Sequence, residues 1–326
     1  MKLPRRKFLH LTAGIAALQA MPRLAAAVDY PGRPVHWIVG YAPGGGNDIV
    51  ARLMGQWLSE RTGQSFIIEN RPGAATNIAT EAVVKATPDG YTLLLAGLPN
   101  AINATLYDHL NFNFIRDIAP VAGIVRTALV MVVNPSVPAK TLPEFVAYAK
   151  ANPGKLNIAT NGDGSPPHLA GELFRLTGGV NLVNVPYHGT APSLAALLGG
   201  QVQVFFASVP GAVEFIRSGK LRALAVTTEA RSDALPNIPT VGEFVHGYEA
   251  SIWYGVGAPR KTPAEVIDRL NREINGGLAD PKMRARLADL GAAAIPGSPA
   301  DFGKLVADET EKWAKVIGAA KIKPGQ

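Results

Sequence analysis

Val35-His36-Trp37-Ile38-Val39-Gly40-Tyr41-Ala42-Pro43-Gly44-Gly45-Gly46-Asn47-Asp48-Ile49-Val50-Ala51-Arg52-Leu53-Met54-Gly55-Gln56-Trp57-Leu58 carries the fold class in one run. Its first five residues have the length and apolar character of a buried strand. A glycine and proline loop over 40–46 follows. Ile49, Val50, Leu53, Met54, Trp57 and Leu58 then recur at helical spacing on one face. That spacing predicts a helix over 47–61, with Asn47 or Asp48 as its N-cap. Strand, glycine-rich turn and helix start form the repeating step of a parallel α/β sheet.

The same step recurs downstream. Strands are expected at 65–69 and 91–96, around a helix from about 77 to 86, with Pro88-Asp89-Gly90 as a turn signal. A second series has strands at 128–133, 156–160, 182–185, 202–206 and 221–226. Its helices are expected at 143–151, 168–177, up to 198, and 213–218. Residues 252–256 are strand-like, and 263–279, 281–290 and 299–320 read as a helical tail. No residue-level repeat exists; what repeats is the architecture, two α/β units.

A length of 326 residues with 47% hydrophobic content suggests two domains with ample core. Glycine (34) and proline (26) together stay below the level of a disordered chain. Cysteine is absent, which excludes disulfides, thiolate metal sites and a Cys nucleophile. The net charge of +7 is misleading. Lys2, Arg5, Arg6, Lys7 and Arg23 stand in an acid-free leader, and removing residues 1–27 leaves +2. A near-neutral globule has no field for a polyanion, so nucleic acid is not an expected partner. The leader has a basic start, an apolar stretch over 8–20 and Ala25-Ala26-Ala27 at its end. This is the pattern of a signal peptide cleaved after Ala27. Arg5-Arg6-Lys7-Phe8-Leu9 also resembles a twin-arginine signal. Both routes lead out of the cytoplasm, to the periplasm in a Gram-negative cell.

Four loops share the strand–turn–helix layout: Tyr41 to Asp48, Arg71 to Asn77, Asn161 to Ser165 and Tyr187 to Pro192. In parallel sheets such loops lie at the carboxyl ends of the strands, where open α/β folds bind ligands. The first amides of a helix lack internal acceptors and carry about half a positive charge, so they hold anions without Lys or Arg. Enzyme signatures are missing. No Gly-x-Gly-x-x-Gly follows the first strand, and no P-loop, His-Glu-x-x-His or Gly-x-Ser-x-Gly is present. The histidines at 36, 109, 168, 188 and 246 show no metal-ligand spacing, and neither a catalytic residue, a metal nor a cofactor is expected. His168 reads as structural. His188 suits either ligand contact or solvent. Ser165 has no base placed near it and suits capping or a ligand hydrogen bond. Asp48 suits a cation or amine, and equally a cap.

At these loops the chain resembles the periplasmic substrate-binding proteins of tripartite tricarboxylate transporters, the Bug family. The resemblance runs from Tyr30 to the C-terminus. Its landmarks include Tyr30-Pro31-Gly32-Arg33-Pro34-Val35, Pro43-Gly44-Gly45, Glu69-Asn70-Arg71-Pro72-Gly73-Ala74, Pro88-Asp89-Gly90-Tyr91-Thr92-Leu93, His168-Leu169-Ala170-Gly171-Glu172-Leu173-Phe174 and Trp253-Tyr254-Gly255. It implies a two-lobed periplasmic-binding-protein fold (Venus flytrap, type II-like), each lobe a mostly parallel sheet flanked by helices. One lobe would comprise 28–127 and 250–326, the other 128–249. Carried onto this chain, first-lobe ligand contacts would be Tyr41, Gly44, Gly45, Asn47, Asp48, Ala74, Ala75, Thr76 and Asn77, with residues 98–103. Second-lobe contacts would be Asn161, Gly162, Asp163, Ser165, Tyr187, Gly189, Thr190 and Ala191.

Three departures from the family pattern bear on the ligand. Ala75 stands where a further glycine is frequent, Leu98-Pro99-Asn100 replaces a Ser/Thr-rich segment, and Ala207-Ser208 occupies the place of a frequent Asp. Loss of that carboxylate removes a partner for an amine. The expectation is therefore a di- or tricarboxylate or an aromatic acid rather than an amino acid. The resemblance implies a monomeric solute-binding protein that closes on its ligand and delivers it to membrane permease subunits, with no enzyme activity. A sensor feeding a signalling system and a secreted carboxylate-processing enzyme are the alternatives.

Overall fold

The computed structural model describes residues 30–107, 109–187 and 189–323; the leader reading and His188 lie outside them. The fold occupies one compact unit, Pro31–Gln326. It opens with β1 (Val35–Val39), α1 (Gly46–Thr62), β2 (Phe66–Asn70), a short turn of 3-10 type at Ala74–Thr76, α2 (Asn77–Val84) and β3 (Thr92–Gly97). Next come α3 (Leu98–Leu106), α4 (Phe114–Asp117) and a 16-residue strand, β4 (Ile118–Val133). The second series is α5 (Leu142–Ala151), β5 (Leu156–Thr160), α6 (Pro166–Gly178), β6 (Leu182–Pro186), α7 (Thr190–Leu198), β7 (Val204–Ser208), α8 (Val209–Arg217) and β8 (Arg222–Val226). β9 (Ser251–Pro259), α9 (Ala264–Ala279), α10 (Pro281–Asp289), β10 (Ala292–Ala294) and α11 (Pro299–Ala320) complete it.

The strands run in the order β2-β1-β3-β9-β4-β7-β5-β6, with β8 and β10 also paired to β4. Two parallel triplets flank an antiparallel centre. β1 lies between β2 and β3 with all three parallel, and β5 lies between β6 and β7 in the same way. Parallel strands need helical crossovers, which α1, α2, α6 and α7 supply. β4 serves both triplets. It pairs with β9 as far as Ala128 and with β7 from Leu129 onward. Its register with β9 shifts around Pro120 and again before Val125, as expected where a proline cannot donate to the ladder.

The core is apolar and continuous. Trp37, Trp253, Trp313, Phe145, Phe174 and Phe206 are fully buried, and one cluster joins side chains from both triplets with Phe302, Val306 and Trp313 of α11. α11 is set by a Ser298–Asp301 capping box and buries Phe302, Val306, Trp313 and Ile317 at helical spacing.

Several sequence expectations need correction. β4 begins ten residues earlier than the strand expected at 128–133. Residues 98–103 belong to a nine-residue helix. The N-cap of α1 is Gly45, without a side-chain cap, so neither Asn47 nor Asp48 fills that role. β7 lies two residues later than 202–206, and α8 starts at Val209 instead of 213.

Candidate functional site

All four loops singled out by sequence follow parallel strands: β1, β2, β5 and β6. The first is fastened by a closed network. The Asp48 carboxylate, 2% exposed in the first turn of α1, accepts from the Gly44 amide (2.9 Å) and Arg52 Nε (2.9 Å) on one oxygen. Its other oxygen accepts from Asn70 Nδ2 (2.9 Å), which also donates to the Tyr41 carbonyl (3.0 Å), while Arg52 Nη2 donates to Asn70 Oδ1 (3.0 Å). Burial alone would raise the Asp48 carboxyl, but hydrogen bonds from Arg52, Gly44 and Asn70 outweigh it and hold the group below its usual range. Asn47 Oδ1 accepts from the Asp48 amide (2.9 Å). The amides of Gly45, Gly46 and Asn47 donate to no other described residue.

The second loop is unusual. Ala74, Ala75 and Thr76 have φ of 44, 49 and 75°, three consecutive non-glycine residues in left-handed conformation. Each costs roughly 1–2 kcal/mol of local strain. Such strain persists only where neighbours over-determine it, and it clusters at ligand sites. Here α3 does the holding. Asn103 Nδ2 donates to the Ala75 carbonyl (2.7 Å) and to Asn77 Oδ1 (2.7 Å). Asn100 Nδ2 donates to the hydroxyls of Thr80 (2.7 Å) and Thr76 (3.3 Å). The amides of Ala74 and Ala75 donate to no other described residue. The first two loops touch: a Cβ on Gly40 would lie 2.7 Å from Thr76 Cβ, so only glycine fits at the end of β1. A direct consequence is testable. Ala75→Gly is expected to raise stability by about 0.5–1 kcal/mol, strain relief exceeding the added chain entropy, as read by denaturant unfolding.

In the other triplet, Asn161 Nδ2 donates to Thr190 Oγ1 (3.0 Å), and Ser193 donates to Asn161 Oδ1 (2.9 Å), tying the loops after β5 and β6 together. Ser165 caps α6 by accepting from the His168 amide (3.4 Å). Gly189 is the N-cap of α7, with Thr190 and Ala191 in its first turn. The Tyr187 amide donates to the Thr160 carbonyl (2.9 Å). The amides of Gly162, Asp163, Thr190 and Ala191 donate to no other described residue. The two sets of loops meet through α3. A Cβ on Gly164 would lie 2.4 Å from Leu106 Cδ1, and the Tyr107 phenol is raised by burial and by the charge of Asp163.

His168 supports this set from beneath. Its buried ring accepts from the Gly164 amide at Nδ1 (3.0 Å), with Asp163 3.7 Å from that nitrogen. Asn184 and Glu172 lie on the Nε2 side at 3.3 and 3.8 Å, and Arg175 pairs with Glu172 (2.6 Å). Burial lowers the imidazole, against the opposing charges of Glu172 and Asp163. The neutral ring is therefore the native form. Its stabilisation is complete above the ordinary value of 6.5 and is lost as pH falls from there through the lowered native value. Acidification through that window is expected to reduce melting temperature and ligand affinity together, by taking the acceptor from Gly164. A His168→Gln variant should flatten both profiles.

Sequence reasoning missed Asn70 and Ser193, which fasten the loops from outside them; Asn100 and Asn103 fall in the expected 98–103 segment, where they hold the second loop, and Ser208 was named only as a departure from the family pattern. Ser208 ends β7 beside Thr190: a Cβ on Gly211 would lie 3.1 Å from Ser208 Oγ and 3.4 Å from Thr190 Cγ2. β7 is thus a third strand of this triplet that ends at a helix start. Among the described residues no group of His, Asp and Glu could hold a metal, and no helix is long and apolar enough to cross a membrane.

Residues 50–322 match the sequence pattern of the family described as tripartite tricarboxylate transporter family receptor. BugT of Bordetella pertussis is 37% identical over 96% of this chain and 95% of its own length. The structure of R. palustris Rpa4515 with adipate superposes with a TM-score of 0.84 at 36% identity, covering 91% of this chain and all of the other. MatC (Rpa3494) from Rhodopseudomonas palustris, with bound malate, gives 0.79 at 32% identity, covering 88% of this chain and all of the other. The α/β architecture built from two parallel triplets is thus that of the periplasmic binding proteins, and the chain belongs to the Bug family of tripartite tricarboxylate transporter receptors.

Proposed function

We propose that this protein is an exported solute-binding protein that captures a small carboxylate between the two triplets and hands it to the membrane subunits of a tripartite tricarboxylate-type transporter, without covalent chemistry. The observation that carries this is the set of amides without a partner among the described residues, at Gly45, Gly46, Asn47, Ala74 and Ala75 on one side and Gly162, Asp163, Thr190 and Ala191 on the other. They suit an anion held by backbone dipoles. The adipate and malate bound by the two R. palustris relatives support a plain di- or tricarboxylate. An aromatic acid stays within the class, while Ala207-Ser208 speaks against an α-amino acid. In this reading Asp48 and Asn77 shape the loops as much as they touch ligand. The lobes are 28–127 with 250–326, and 128–249. They hinge where β4 exchanges β9 for β7 and where the chain re-enters at β9, and ligand biases the open–closed equilibrium through its greater affinity for the closed form. The leader is removed near Ala27 and the mature monomer works in the periplasm.

The test is a thermal-shift screen with adipate, malate, citrate, benzoate and aspartate. A cognate acid at about 100 times its dissociation constant stabilises by roughly 2.7 kcal/mol. Recovery of the acid unchanged is the expected companion result. Stabilisation by aspartate alone, or conversion of the acid to product, would overturn the reading. Delivery as opposed to signalling is read by cross-linking to the transporter's membrane subunits.

A further inference from the structure

A cavity of about 270 Å³ shares no lining residue with any of these loops. It opens where β4 and β10 face the segment Thr228–Asp233 that follows β8. Its apolar wall is made mainly of alanines, among them Ala128, Ala292 and Ala293, with Ile295 beside them. Arg126 projects from β4, in register with Ala293 of β10, and lines the cavity. Among the described residues its buried Nε has no hydrogen-bond partner and no acid lies within ion-pairing distance of its guanidinium, although its charge helps to lower the carboxyl of Glu249, which also lines the cavity.

The other charges are either spent or peripheral. Glu249 is paired with Lys312 and accepts from the Ser251 amide (3.0 Å). Arg231 is held by Glu243 through two bonds of 3.1 and 3.0 Å. Glu229 and Asp233 are exposed at the rim. The Thr228 hydroxyl donates to the Ala230 carbonyl (2.7 Å), whereas the Ser232 hydroxyl is unengaged among the described residues. A buried guanidinium donor without an acceptor is costly unless something supplies one. The volume admits a small organic molecule, not just a water.

We propose that this cavity is a binding site for a small singly charged organic anion, a monocarboxylate with a short apolar chain. Its carboxylate takes the planar fork of Arg126 and the Ser232 hydroxyl, and its chain lies along the alanine wall. The exposed carboxylates of Glu229 and Asp233 repel a second negative group, so di- and tricarboxylates are disfavoured here even though they suit the other site.

The experiment is calorimetric titration of the full mature protein with butyrate. Saturable binding is expected in the wild type. Arg126→Gln should weaken it by at least about tenfold, the weight of one charge-assisted hydrogen bond. Ala293→Phe, introduced at an exposed position on the wall, should weaken it comparably by filling the space, and it decides the matter if Arg126→Gln does not fold. Thr190→Ala should leave butyrate binding unchanged while weakening the acid found in the thermal screen, which separates this site from the proposed carboxylate cleft. Equimolar succinate should not displace butyrate. Absence of saturable butyrate binding, its loss in Thr190→Ala but not in Ala293→Phe, or displacement by succinate would overturn the proposal.

Discussion

Trp253→Ala is expected to lower the unfolding free energy by about 4 kcal/mol, the range for emptying a fully buried indole site. Trp253 is 0% exposed, stands on β9 opposite Arg126 of β4, and meets the Phe302 ring edge-on at 5.6 Å. Removing it opens a cavity between the central strands and α11 that rigid neighbours cannot fill. The Trp253 indole NH has no acceptor among the described residues, whereas that of Trp313 donates to Glu309 (2.8 Å). Trp253→Phe deletes an unsatisfied donor along with some volume and should cost less than about 1.5 kcal/mol. Trp313→Phe strips a buried carboxylate of its donor and should cost about 1–3 kcal/mol more than that. Chemical denaturation of the three variants provides the check. Equal losses for the two phenylalanine variants would mean that the Trp253 NH finds an acceptor in solution.

Asp48→Ala is expected to have the larger functional effect. It leaves the Gly44 amide, Asn70 Nδ2 and Arg52 Nε without their shared acceptor. Losing a buried, hydrogen-bonded charge costs about 2–3 kcal/mol of stability. Arg52 is half exposed and regains water, which keeps the loss below that of a wholly buried pair. Freed from Asp48, the Gly44–Asn47 amides no longer share a fixed direction, and carboxylate affinity should fall by about 100-fold or more. Asp48→Asn should recover part of the stability, since one oxygen can still accept, but little of the affinity. The pH dependence has a definite sign. Because the native carboxyl is held below its ordinary value, its contribution is present above the unfolded value and is lost as pH falls through the native one. Wild-type and Asp48→Asn stability curves should therefore converge in strong acid. Unaltered affinity in Asp48→Ala would show that the first loop does not form the anion site.

Much of this was legible because local periodicity and turn chemistry agreed with tertiary placement. β1 at 35–39, β5 at 156–160 and α11 at 299–320 are bounded as the residue pattern implies. The four loops stood out for the same reason: glycines between an apolar strand and an amphipathic helix. The first ten residues of β4 were not legible. Pro120 and Gly123 look like breakers until the bulges against β9 explain them. α3 was hidden because Pro99, Asn100 and Asn103 read as loop formers, yet Pro99 sits in the first turn, Asn100 bonds across to Thr76 and Asn103 to Ala75 of the second loop. The bonds that shape the site join positions far apart in sequence: Asn70 to Asp48, Asn103 to Ala75, Ser193 to Asn161. Spacing rules carry no information about such partners. The left-handed run at 74–76 contradicts intrinsic preference, and only its tertiary supports account for it.

The insertion of β9 between β3 and β4 has a bearing on how the protein is made. A chain emerging N-terminus first completes the strands on either side long before Ser251–Pro259 exists. Until then both inner edges stay open, and the first triplet has no bridge to the remainder. A nascent polypeptide is therefore held back from its final shape until most of its 326 residues have been synthesised. Truncation between Val133 and Ser251 should yield not a smaller receptor but a sticky fragment in which β3 and β4 lack the strand that joins them.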